Sequence, residues 1–154
     1  MATISFGNDL ELFQKSFTSG RIFKLFCDFT TPPKEKYLLL ACPTGKPLFL
    51  IINSEISAFI AKRDHLRECQ VVLHKEDHRC FTEDYSYVDC SKVIDSLTVQ
   101  DVISQCVNRD MNRIKETITA EERNHIIAAI EKSETIVAID KKRMLDWLTK
   151  NQAQ

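Results

Sequence analysis

Between Arg21 and Cys90 the apolar residues come in short runs, each too short for a helix and each closed by turn-forming residues. Arg21 to Phe29 alternates. Phe23, Leu25, Cys27 and Phe29 point one way, and Ile22, Lys24, Phe26 and Asp28 the other. Thr30-Thr31-Pro32-Pro33 then stops the strand, because proline cannot donate to a ladder. Tyr37 to Asn53 carries two apolar runs around Pro43-Thr44-Gly45-Lys46-Pro47, the pattern of two paired strands with a tight connection. Cys69 to Leu73 and Tyr85 to Cys90 add two more. Five short strands within about 70 residues predict a small, strongly bent sheet or barrel. Ser54 to Ile60 reads either as loop or as one helical turn, Lys62 to Glu68 as a charged loop, and His74 to Glu83 as polar and irregular.

Helical spacing governs both flanks. Asn8 or Asp9 caps a short helix through Lys15, with Leu10, Phe13 and Phe17 on one side and Gly20 ending the lead-in. Thr98-Val99-Gln100-Asp101 resembles a capping box, followed by Val102, Ile103, Cys106 and Val107 as an apolar stripe. A cleaner box, Thr119-Ala120-Glu121-Glu122, precedes Ile126, Ile127 and Ile130. Val137 to Ile139 reads as extended. Asp140 opens a last helix whose Met144, Leu145, Trp147 and Leu148 dock most simply on the chain's own barrel. The expected fold class is α+β: one domain over the 154 residues, with a barrel over about 20–95 and a helical part over about 96–154.

Composition narrows the function classes. A net charge of −1 argues against bulk electrostatic binding of nucleic acid but leaves room for a local basic patch. No apolar stretch is long enough to span a membrane, so no membrane partner is expected. Met1 to Gly7 has neither a charged leader nor an apolar core, and the six cysteines form no CxxC pair. Together these point to a cytoplasmic protein with mostly buried thiols.

Four groups of residues carry candidate chemistry. Lys34, Lys36, Lys46 and Ser54 surround the hairpin, either as a phosphate-contacting groove centred on Lys36 and Ser54 or as a solvated rim in which Ser54 caps the following turn. Lys62, Arg63, His65 and Arg67 form a denser basic loop that either grips phosphates, with His65 as an acid or base, or is solvated and diluted by Glu55, Asp64 and Glu68. Cys69, His74, His78, Cys80 and Cys90 offer zinc donors. The HxxxH has no partner knuckle, however, so these read instead as surface histidines and buried cysteines. No cysteine is singled out as a nucleophile, and no glycine-rich phosphate loop exists. Phe81, Tyr85, Tyr87 and Trp147 suit base stacking or, more simply, core packing.

The run Arg21 to Phe29 follows a glycine and ends in an acidic-then-apolar step. Lys36 to Leu40 opens an apolar strand, and Leu48 to Asn53 closes on Ser54. Tyr87 to Ile94 forms a strand and turn, and Arg113 to Ile130 a lead-in and helix. In layout these segments resemble the PemK/MazF-like toxins of toxin–antitoxin systems over most of residues 20–131, with 132–154 as an extension. The resemblance implies an SH3-like barrel, a homodimer and an antitoxin-like protein partner. It further implies a metal-free endoribonuclease, without cofactor, acting on single-stranded RNA by attack of a 2′-hydroxyl on the adjacent phosphate. Lys36 and Ser54 fall at the catalytic positions, Lys36 stabilising the phosphorane. Lys34, Lys46, Arg63, His65 and Arg67 fall to binding RNA. Lys36-Tyr37 stands where that family carries Arg-Pro, so the cation is a point charge and not a bidentate fork. The rival reading is a non-catalytic SH3-like interaction module. An enzyme would hold Lys36 and Ser54 at one cleft, whereas a module would show an apolar groove there.

Overall fold

The computed structural model describes residues 6–150. In chain order the elements are α1 (Phe6–Ser16), β1 (Arg21–Cys27), β2 (Lys34–Cys42), β3 (Leu48–Asn53), α2 (Ala58–Ala61), α3 (Asp64–Arg67), β4 (Gln70–His74), β5 (Tyr85–Asp89), α4 (Val99–Cys106), β6 (Ile114–Thr117), α5 (Ala120–Lys132) and α6 (Ala138–Lys150). The strands make one antiparallel sheet of six in the order β4-β5-β3-β2-β1-β6. The first three strands form a meander. The chain then crosses over to place β4 at one edge, β5 fills the gap, and β6 adds to the far edge beside β1.

The sheet is curled into a half-barrel. In a flat sheet β4 and β6 would stand roughly 24 Å apart, five spacings of about 4.8 Å. Yet His78, four residues past β4, hydrogen-bonds Glu116 of β6 at 3.1 Å. The two edges are therefore brought together across the concave side.

Period-two alternation feeds two cores. Phe23, Leu25 and Cys27 join Leu38, Leu40 and Phe49 on one face, beneath Phe13 of α1 and Val102 and Cys106 of α4. Ile22, Leu39, Ala41, Leu50, Ile52, Val71, Leu73 and Val88 join Ile126 and Ile130 of α5 and Met144 and Leu148 of α6 on the other. Helices on both sides explain why β2 is buried without interruption from Leu38 to Cys42. The final helix docks on its own sheet: Arg143 Nη2 donates to the Thr44 and Lys46 carbonyls at 2.7 Å, and Trp147 Nε1 donates to Thr44 Oγ1 at 3.1 Å.

Several expectations need correction. The sheet has six strands, not five. The additional strand, β6, has one apolar residue in Ile-Lys-Glu-Thr and therefore no readable alternation. Side-chain bonds to backbone help hold it at the edge, with Arg21 Nη1 donating to Lys115 O at 3.0 Å and Arg113 Nη1 to Lys24 O at 3.0 Å. The charged stretch Lys62 to Glu68 contains the short helix α3. Ser57, not Ser54, caps α2, accepting from the Ile60 N–H at 3.2 Å. Val137 to Ile139 is not extended through its length, since α6 begins at Ala138. Both capping boxes form, with side chain and backbone bonded reciprocally. Thr98→Ala removes the bond from the Asp101 N–H to Thr98 Oγ1 and is expected to lower stability by about 1 kcal/mol, read from urea unfolding.

Candidate functional site

Lys36 lies near the start of β2, where the strand emerges from the covered part of the sheet. Its side chain shares the face of Leu25 and Leu38, and its ammonium donates to Asn53 Oδ1 at the end of β3, at 2.8 Å. Burial first, then the neighbouring charge of Lys34, holds the Lys36 pKa below its ordinary value. Counting back from the turn, where Cys42 faces Leu48, would set Lys36 opposite Ser54. A bulge between Leu40 and Cys42 shifts the register by one, so that Asn53 takes that place and Ser54 becomes the exposed residue beyond it. Lys34, Lys36, Asn53 and Ser54 thus form one polar end of the β2–β3 pair.

The other basic residues named from sequence are not gathered there. Lys46 sits in the β2–β3 turn, at the opposite end of a hairpin whose strands run about 20 Å at about 3.3 Å per residue. Arg63, His65 and Arg67 lie on the crossover between β3 and β4, all exposed. Arg63 stacks on the Phe59 ring at 3.6 Å from its centroid and donates to Phe59 O at 2.8 Å. Arg67 pairs with Asp64 at 2.7 Å and donates to Ala61 O at 2.7 Å. Both arginines therefore stiffen the two short helices while keeping spare donors.

Of the aromatics, Phe81 is buried against Tyr37 and His78. Tyr85 is exposed and meets His74 edge to face, 5.4 Å between centroids, while Tyr87 is half-buried. Tyr85 and Tyr87 stand cross-strand from His74 and Val72. This half of the sheet contributes nothing to the core beneath α1 and α4.

All six cysteines are free thiols, five of them buried. Burial above all pushes Cys27 up to about 11 and Cys80 and Cys106 up to about 12. Such thiols are protonated at neutral pH and inert as nucleophiles.

His78 overturns its expected place on the surface: it is 1% exposed. Nε2 faces Glu122 Oε1 at 2.7 Å and Oε2 at 3.0 Å, and Nδ1 faces Glu116 Oε2 at 3.1 Å. Ionised carboxylates only accept, so the imidazolium, with a proton on each ring nitrogen, is the form that satisfies both partners. Against the lowering effect of burial, the bonds to the two glutamates hold the His78 pKa above its ordinary value. His74 points elsewhere, against Tyr85, so the HxxxH pair does not converge. The triad ties the loop after β4 to β6 and α5, with His78 and Glu122 buried and Glu116 a third exposed, and acts as a clamp. Its partners lie 38 and 44 residues away in sequence, beyond any local pattern.

A second concave feature was not foreseen. A groove of about 560 Å³ is lined by Phe59, Ile60, Leu66, Val93, Ile136 and Val137, with Lys92 and Asp140 among its polar lining. Neither Lys36 nor Ser54 belongs to it. Phe59 is 60% exposed and Val137 59%, large values for apolar side chains. The only sequence signal was the ambiguous SEISAFI run.

No protein-family model matches the chain, and no curated protein sequence matches it.

Proposed function

We propose that this chain binds single-stranded RNA at the Lys34–Lys36–Asn53–Ser54 end of its sheet, as a PemK/MazF-like protein built on an SH3-like barrel. The observation that carries the reading is the Lys36–Asn53 pair. The ammonium spends one of its donors on Asn53 at 2.8 Å, leaving two for phosphate oxygens. Next to it stands the exposed Ser54 hydroxyl, and Lys34 lies two residues back along β2. This constellation suits a phosphodiester, and it is preorganised because Asn53 fixes the lysine before any ligand arrives. Cleavage would follow the chemistry the resemblance implies. The 2′-oxygen attacks phosphorus and gives its proton to solvent, the bond to the 5′-oxygen breaks, and that oxygen takes a proton. Lys36 and Ser54 would donate to the charged intermediate.

Binding is tested by fluorescence anisotropy with a mixed-sequence single-stranded RNA. Lys36→Ala is expected to weaken binding about tenfold and to lower the salt slope by about one. Ser54→Ala is expected to have a smaller effect, about threefold. Cleavage is read on a gel from the same samples. RNA binding or cleavage that survives both substitutions would remove this site.

A second reading, a non-catalytic interaction module, would use a different surface from the one expected: the apolar groove between Phe59 and Val137, away from Lys36 and Ser54, with the stacked Arg63–Phe59 pair beside it. Absence of any RNA binding by the wild-type protein would leave this reading in place of the first.

A further inference from the structure

Asp89 ends β5 and is 7% exposed, yet it has no counter-charge. Its Oδ1 accepts from Gln70 Nε2 at 2.9 Å, from the Ser91 N–H at 2.9 Å and from the Ser91 hydroxyl at 2.5 Å. No described residue donates to its Oδ2, and among the described residues Asp89 forms no ion pair. Buried carboxylates are ordinarily paired, because an uncompensated charge away from water is costly. The shortage of donors extends to the neighbouring Gln70, whose Oε1 is buried without a partner. Turning that amide over would not help, since its oxygen would then face Asp89 Oδ1 and the Leu66 carbonyl, both of which Nε2 now serves. Asp89 lines the groove of about 560 Å³ whose apolar lining includes Phe59 and Ile60 of α2, Leu66 of α3, and Ile136 and Val137 before α6. Thr135 Oγ1 donates to Ser91 O and ties the segment before α6 to the turn after β5, so the groove is formed before any ligand enters.

We propose that this groove binds a small organic cation, an amine or guanidine carried on an apolar, aromatic body. The cationic head donates to Asp89 Oδ2 and supplies the missing counter-charge, and the body lies against the apolar walls. Asp140, half-buried in the first turn of α6, adds a second carboxylate to the lining. Against these two the lining offers the cation Lys92, which is exposed and pairs with neither. The balance of charge therefore favours a positive ligand over a negative one. The volume suits a small molecule, for which sites run to about 300–1,000 Å³. A protein partner would need about 800 Å² on each side, and the exposed apolar side chains lining this groove are Phe59 and Val137. Neither Lys36 nor Ser54 belongs to the groove, so the cation site stands or falls independently of RNA binding.

The test is a titration of the full chain, followed by amide NMR shifts, with three probes of one shape and different charge: 2-phenylethylamine, 2-phenylethanol and 3-phenylpropionate. The amine is expected to bind with a Kd of about 1 mM and to shift the amides of Phe59, Ser91 and Val137. The alcohol is expected to bind about tenfold more weakly, and the propionate to leave those amides unmoved. Asp89→Asn keeps the shape and is expected to bring the amine down to the level of the alcohol. Far-UV circular dichroism and thermal melts verify that it is folded. If it is not, Asp140→Asn decides the matter, with an expected loss of about threefold for the amine and no change for the alcohol. Equal binding of the three probes would overturn the proposal, as would an amine that shifts nothing at up to about 20 mM. Amine binding unchanged in folded Asp89→Asn, or in Asp140→Asn where that variant decides, would do the same. A capped phenylalanyl-lysine amide that binds about tenfold more tightly than the amine would replace the small cation with a basic segment of another protein.

Discussion

Glu122→Gln is expected to destabilise the fold by about 3 kcal/mol near pH 6 and to bring on alkaline loss of stability at a lower pH. The reason lies in the clamp. His78 is enclosed, with both ring nitrogens against carboxylates of Glu122 and Glu116. Burial alone would push the imidazole pKa down, but the hydrogen bonds and charges of the two glutamates outweigh it, and the folded value lies above the ordinary 6.5. Burial alone would likewise raise Glu122. Its bonds to His78 and to the Thr119 backbone N–H outweigh that and hold it below 4.5. Glu116 is lowered in the same sense, but its side chain is a third exposed and its share is weakened by solvent.

The signs follow by linkage. The histidine contribution is complete below the unfolded value near 6.5 and disappears as pH rises through the raised folded value. The glutamate contributions are complete above 4.5 and disappear as pH falls through the depressed folded values. The triad therefore contributes most between about 4.5 and 6.5. Glutamine keeps the shape and an acceptor but removes one charge, so the His78 pKa falls and the alkaline limb moves toward neutrality. Urea unfolding across a pH series reads both effects. An unchanged midpoint with an unchanged alkaline limb would rule out a buried imidazolium.

This clamp also marks the boundary of what the chain reveals in one dimension. Strand β1 and the hairpin were legible because alternation and turn residues are local properties; that Leu38 to Cys42 is covered on both faces emerged only with the helices that pack there. The two capping boxes were legible for the same reason. What escaped depends on contacts distant in sequence. Strand β6 forms because β1 offers an edge, not because Ile-Lys-Glu-Thr favours extension. His78 resembles any histidine in a polar loop until Glu116 and Glu122 arrive. At the candidate site, the hairpin predicts a neighbour for Lys36, but the bulge at Leu40–Cys42 decides that the neighbour is Asn53. The groove at Phe59 and Val137 joins three segments, around residues 57–66, 89–93 and 135–140, and only the folded arrangement brings them together.

Gly20→Ala is expected to destabilise the protein by about 3 kcal/mol, large for the addition of one methyl group. Gly20 has φ of +99°, a conformation open to glycine and strained for alanine. The backbone has no freedom to relax, because Gly20 N donates to Leu40 O at 2.8 Å and Ile118 N donates to Gly20 O at 2.9 Å. A methyl carbon there would lie 2.4 Å from Arg123 Nη2. That guanidinium is buried, and it donates to Ser19 O at 3.2 Å and Leu148 O at 3.4 Å, so moving it aside breaks bonds that join the start of β1 to α6. The cost thus has a backbone part and a contact part, and a double-mutant cycle separates them. In an Arg123→Ala background the contact part vanishes while the strain stays, so the two substitutions together should cost at least about 1 kcal/mol less than their sum. Urea unfolding of the four proteins measures this. Additivity to within about 0.5 kcal/mol would assign the whole penalty to the backbone and leave Arg123 without a role in keeping this position glycine.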